Sequence, residues 1–77
     1  MPAVTLHRID PDRKMHRYYR LDVQPDLFGE WGVVLEWGRI GQAGRYRVDP
    51  YPTAAQAEER MQLQQAAKQG RGYARIS

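Results

Sequence analysis

The stretch Trp31–Asp49, WGVVLEWGRIGQAGRYRVD, decides the fold. Its first ten residues put Trp31, Val33, Leu35, Trp37 and Arg39 on one face and Gly32, Val34, Glu36, Gly38 and Ile40 on the other. A period of two is the mark of a β-strand, whose successive side chains point to opposite sides. Gly41-Gln42-Ala43-Gly44 then makes a tight connection, because a glycine at either end can take a positive φ without steric cost. Arg45–Asp49 (RYRVD) returns as a second strand, with Tyr46 and Val48 on one side and both arginines on the other. Antiparallel pairing through this turn would group Trp37, Arg39, Arg45 and Arg47 at one end of a sheet.

Two further strands are predicted upstream. Val4–Ile9 (VTLHRI) alternates with Val4 and Leu6 in phase, and Asp10-Pro11-Asp12 reads as a turn, since proline presets φ and aspartate bonds its own backbone. His16–Val23 (HRYYRLDV) places Tyr19, Leu21 and Val23 on one face and Tyr18, Arg20 and Asp22 on the other. Gln24–Gly29 (QPDLFG) is a loop, with Leu27 and Phe28 expected to tuck inward.

Downstream, Pro50-Tyr51-Pro52 predicts the end of the sheet, because proline has no N–H to give a ladder. Thr53 stands three residues before Gln56, the spacing of a capping box. Ala54–Gln69 is rich in Ala, Gln, Glu, Arg and Met, which predicts a helix of about four turns, ended by Gly70 at the C′ position. Its apolar stripe is thin, with Ala54, Ala57 and Met61 together but Leu63 and Ala67 displaced around the axis. Arg71–Ser77 reads as a frayed tail or as a short edge strand using Tyr73 and Ile76. Strands followed by one helix argue α+β: an antiparallel sheet of about four strands with a C-terminal helix on one face. One domain over residues 1–77 is expected, with its core at about 4–73 and 74–77 as a tail.

Composition narrows the function. The chain has 77 residues, no cysteine, and twelve basic against nine acidic side chains for a net charge of +3. Disulfide scaffolds and cysteine-based zinc sites are excluded. No apolar run approaches the roughly 18 residues of a membrane helix, and the N-terminus has no signal-peptide core. An intracellular protein is expected, cytoplasmic if bacterial and nuclear if eukaryotic. Ten of the twelve cations are arginine, the residue suited to two-pronged contacts with phosphate or carboxylate.

Most chemistry can be set aside. His7 and His16 could face each other across the first hairpin, but two histidines without cysteine or an HExxH spacing do not make a metal site. Ser77 is the one serine, so no Ser-His-Asp set can be assembled, and the carboxylates are scattered. Gly38–Gly44 has a GxxGxxG spacing with neither a following helix nor a lysine, so a hairpin turn accounts for it better than a nucleotide loop. No enzyme, metal or cofactor is expected. The remaining constellation is aromatic and basic. Trp37 either stacks on a base or sugar while Arg39, Arg45 and Arg47 hold phosphate, or is a core residue flanked by solubilising arginines. Trp31 reads as core.

YYRLDV (Tyr18–Val23), EWGVVLEWGRIG (Glu30–Gly41) and the helix after PYPT together resemble the WGR domain, named for a triplet that stands here as Trp37-Gly38-Arg39. The resemblance runs from about His16 to Tyr73 in the family's order and spacing. It implies a sheet-and-helix accessory module of the DNA-damage-dependent poly(ADP-ribose) polymerases, found also in bacterial proteins, that grips DNA near a strand break. By that resemblance Trp37 packs against the sugar at a DNA terminus, Arg39 lies at the DNA and interdomain contact, and Gly38 allows close backbone approach. No polymerase catalytic domain accompanies these residues, so no ADP-ribosyl transfer is implied. The expectation is a non-catalytic nucleic-acid-binding module for double-stranded DNA at ends or nicks, using Trp37, Gly38, Arg39, Arg45 and Arg47. The alternative is a protein-interaction domain using the same Trp/Arg surface.

Overall fold

Alternating apolar residues at two-residue spacing assemble one antiparallel sheet of five strands, one more than the sequence predicted. The computed structural model describes residues 3–77, so the first two residues of the expected 1–77 domain lie outside the described ones. The strands are β1 (Val4–Asp10), β2 (Met15–Pro25), β3 (Trp31–Arg39), β4 (Arg45–Tyr51) and β5 (Ala74–Arg75), in the spatial order β4-β3-β2-β1-β5. A short 3-10 turn, Pro11–Arg13, links β1 to β2, and its Asp10 cap accepts from the Arg13 amide. Arg71–Ser77 resolves as an edge. Ala74 and Arg75 pair with β1, and Thr5 exchanges backbone hydrogen bonds with Ile76 and Ser77.

The helix α1 (Ala54–Gln69) begins where the capping spacing predicted, with the Thr53 hydroxyl accepting from the Gln56 amide at 3.2 Å. It crosses β2, β3 and β4 on one face of the sheet. Only Ala57 and Met61 of the helix are buried, and Leu63 is left 59% exposed. The thin stripe suffices because the sheet supplies the rest of the core: Val4, Leu6, Tyr19, Leu21, Val23, Val33 and Leu35. Register stacks these residues in rows across the strands. Val4 faces Leu21, and Leu21 faces Leu35; one step along, Leu6 faces Tyr19, and Tyr19 faces Trp37. Among the described residues no layer covers the other face of the sheet, and Ile9, Tyr46 and Val48 are exposed there.

Several expectations are corrected. Leu27 and Phe28 do not tuck inward: they are 97% and 91% exposed. Asp26 dictates this, since its Oδ1 accepts from the amides of Phe28 and Glu30 at 2.8 Å each and turns the chain outward. Pro50 does not end the sheet. It stands in β4 opposite Gly32, tolerated because β4 is an edge strand whose outer side needs no N–H. Gly70 follows the helix but has a right-handed φ of −63°, and the left-handed turn falls at Gly72 with φ +96°. Of the two turn glycines only Gly41 has a positive φ, +86°. Trp31 is half-buried against the core rather than enclosed in it, opposite Tyr51.

Candidate nucleic-acid interface

On the helix-bearing face the rows change character from one end of the sheet to the other. Two apolar rows lie beneath α1, an aromatic row follows, then an arginine row, with Asp10 opposite Met15 beyond it. Trp37 sits in the aromatic row with Tyr19 on one side and Arg45 on the other, and Arg39 faces Arg17 in the arginine row. Trp37 and Arg39 share this face because they are two apart on β3. Arg45 and Arg47 join it because β4 returns antiparallel, with Arg47 opposite Leu35. The grouping of Trp37, Arg39, Arg45 and Arg47 anticipated from the sequence is therefore the arrangement of the side chains' positions in the sheet.

Trp37 is half-buried. One side of it lies against Tyr19, with ring centroids 6.2 Å apart and planes 17° from parallel. Tyr19 is in turn held from the helix, where Gln64 Nε2 donates to its hydroxyl at 3.1 Å. Tyr73 meets Tyr19 edge-on at 6.2 Å, and the Lys68 ammonium stands 4.6 Å from the centre of the Tyr19 ring and 5.7 Å from that of Tyr73. These are cation–π distances. Burial beside the rings, and next the charge of Arg71, lower the Lys68 pKa from its ordinary value.

Two shallow clefts flank the indole. One, of about 170 Å³, is lined by Arg17, Trp37, Gly38, Arg39 and Tyr73. The other, of about 250 Å³, is lined by Tyr19, Trp37, Arg47, Gln64 and Lys68. The flat ring is thus fixed from below and bordered by cations on both sides. The arginines are not equivalent. Arg47 is engaged by Asp49, with Nε 3.0 Å from Oδ1 and Nη2 donating to Oδ2 at 3.1 Å. Among the described residues Arg17, Arg39 and Arg45 have no ion-pair partner.

Gly38 lines the first cleft through its backbone. Its own Cβ position points to the opposite face, where it would stand 2.8 Å from Gly44 Cα and 3.3 Å from the Tyr18 ring. The turn folds back over β3 at that point, and Tyr18 closes the arrangement by donating to Glu36 at 2.9 Å. That hydrogen bond to a carboxylate, with desolvation and the Glu36 charge adding to it, raises the Tyr18 pKa above the ordinary phenol value, partly offset by a hydrogen bond with the Gly44 backbone.

Sequence reasoning missed Arg17, Tyr19 and Tyr73 as neighbours of Trp37, and left Lys68 as a matter of charge alone. The strand parity of Tyr19 was legible, but its pairing with Trp37 is a matter of register. His7 and His16 are not cross-strand partners: His7 faces Tyr18 and His16 faces Ile9. Among the described residues no group of three or more His, Asp or Glu side chains is placed to hold a metal ion. No helix there is long and apolar enough to cross a membrane.

The sequence profile of the WGR domain matches residues 3–77, essentially the whole chain. The chain belongs to the WGR domain family. WGR domains are small binding domains rather than catalytic ones, and the family is known as a nucleic-acid-binding module. The chain is also similar to "Uncharacterized protein y4dW" of Sinorhizobium fredii (strain NBRC 101917 / NGR234), at 44% identity over 43 residues. That alignment covers 56% of this chain and 21% of the relative, so the matched segment spans about a fifth of that protein's length. No solved structure matches the chain.

Proposed function

We propose that this WGR domain binds duplex DNA at ends or nicks, with Trp37 against the exposed terminal sugar or base and Arg39 and Arg45 on phosphate. The observation that carries the reading is the indole itself: a flat ring braced on Tyr19, left half-open, between two clefts bordered by cations. Such a ring finds a stacking partner where a base pair or sugar has lost its neighbour, whereas in continuous duplex every base face is covered by the next. Arg47 contributes less than Arg45 because Asp49 already occupies its guanidinium. Gly38 borders the cleft through its backbone, and its lack of a side chain leaves room on the opposite face for the turn at Gly44. No proton transfer or bond cleavage is involved.

With three to five phosphate contacts, the logarithm of affinity falls with log salt at a slope of about −3 to −4.5. The test is a fluorescence-anisotropy titration comparing an open 5′-phosphorylated duplex with a closed dumbbell of the same sequence. The expected result is tighter binding to the open duplex, with Trp37→Ala weakening it by about 1–3 kcal/mol. Because Trp37 also packs on the core, Trp37→Leu is the companion variant: it keeps apolar bulk and loses the plane. Equal binding to both DNAs would reduce the reading to phosphate attraction. Absence of binding to either would replace it with a protein-docking role for the same surface, one that tolerates high salt.

A further inference from the structure

The arginine row extends beyond the residues of the triplet. Arg8 of β1 faces Arg17 of β2, and Arg17 faces Arg39 of β3, so three guanidinium side chains stand in register across three adjacent strands on the helix-bearing face. Like charges directly opposite one another in a sheet are destabilising. Here the conflict occurs twice in succession, and among the described residues none of the three has an ion-pair or side-chain hydrogen-bond partner. The nearest carboxylate in sequence, Asp10, is taken by Arg13, at 3.7 Å from its Nε and through its backbone amide. Gly72 lies close against Arg8, since a Cβ on it would stand 3.4 Å from Arg8 Nε. Tyr73 flanks Arg17 and Arg39 at the cleft. Neighbouring strands are about 4.8 Å apart, so the row spans about 10 Å from Arg39 to Arg8.

We propose that Arg8, Arg17 and Arg39 form an anion track that carries the phosphodiester backbone of one DNA strand away from Trp37, across β3, β2 and β1 toward the β5 edge. The mutual repulsion of the three cations is relieved when phosphates intercalate between them, which makes the row a binding device rather than a stabilising one. Its line is perpendicular to the strands, and it starts beside Trp37, so a strand whose terminal nucleotide rests on the indole continues directly onto it. The proposal rests on the DNA-binding reading of Trp37 and adds to it two residues, Arg8 and Arg17, and a direction.

The experiment measures salt-dependent binding of the open duplex by wild type, Arg17→Gln, Arg8→Gln/Arg17→Gln, Arg17→Lys and Trp37→Ala. Each phosphate contact contributes about 0.9 to the salt slope, so Arg17→Gln lowers its magnitude by about 0.9 and the double variant by about 1.8. At about 0.1 M salt these changes weaken binding roughly eightfold and roughly 60-fold when referred to 1 M salt. Arg17→Lys retains the slope, because the charge that displaces counterions is kept. The melting temperature of the glutamine variants stays equal to wild type or rises at low salt, since a repulsion has been removed. Wild-type binding that needs Trp37 but shows the same slope in the double variant overturns the track and leaves the DNA reading standing. A wild type that does not bind overturns both. Should the double variant fail to fold, Arg17→Gln alone, at an exposed position on β2, carries the decision.

Discussion

Gly41 and Gly44 bound the same turn, yet replacing them with alanine is expected to cost different amounts for different reasons. A Cβ on Gly41 meets nothing within 4 Å, so Gly41→Ala bears only the cost of a side chain at φ +86°, about 1–2 kcal/mol. Gly44 has no positive φ; its constraint is space. A Cβ there overlaps the Trp37 carbonyl oxygen and the Tyr18 hydroxyl, and stands 2.8 Å from the Trp37 carbonyl carbon. That carbonyl belongs to the β3 backbone, which is paired on both sides and cannot rotate out of the way. The turn must lift instead. Overpacking with side-chain neighbours costs about 1–3 kcal/mol, and a backbone obstacle puts Gly44→Ala at the top of that range, about 3 kcal/mol. A domain of 77 residues holds only about 4–12 kcal/mol in total. Urea denaturation followed by tryptophan fluorescence measures both variants, and equal m-values certify that the comparison is of stability. A lifted turn also displaces Arg45 from its place opposite Trp37, so Gly44→Ala should weaken DNA binding in the folded fraction while Gly41→Ala does not. If Gly44→Ala costs no more than Gly41→Ala, the close approach of the turn to β3 is refuted, and with it the geometry that sets Arg45 beside Trp37.

Three further outcomes follow from the same geometry. Phe28→Ser and Leu27→Ser, at the outward tip between β2 and β3, should change stability by no more than about 0.5 kcal/mol in thermal melts, as surface substitutions do; a loss of 2 kcal/mol would mean the loop folds inward. Thr53→Ala removes the acceptor for the Gln56 amide and should cost about 1 kcal/mol in urea denaturation. Tyr18 has its pKa raised in the fold, so the stability it contributes is fully present below the unfolded tyrosine value of about 10 and is lost as pH rises through the folded value. Stability measured from about pH 9 to pH 11 should therefore fall less steeply in Tyr18→Phe than in wild type, and identical slopes would sink the Tyr18–Glu36 account.

Much of the architecture was written in local pattern. The period of two in Trp31–Arg39 and in the tyrosine strand, and the capped Ala/Gln/Glu run of α1, each act over a few residues and were read at almost their observed bounds. The errors lie where a long-range circumstance overrides a local rule. Pro50 stays in a strand because that strand turned out to be an edge, and Leu27 and Phe28 face solvent because Asp26 captures two backbone amides. Between the two readings of Arg71–Ser77, frayed tail or edge strand, the decision falls to the edge strand β5 because β1 has a free side to pair with.

The sequence by itself determined that this chain is an α+β WGR domain with Trp37 and Arg39 on one strand face and two arginines on the returning strand, because strand parity depends only on neighbours along the chain. The tertiary structure decided which residues surround the indole. Tyr19 reaches it from β2, Lys68 and Tyr73 come from the end of α1 and the segment beyond it, and Arg8 and Arg17 continue the row that Arg39 begins. Cross-strand neighbours are set by register, which depends on how each hairpin closes and which face the helix covers, and a one-residue slip of a strand would send its side chains in this group to the other face.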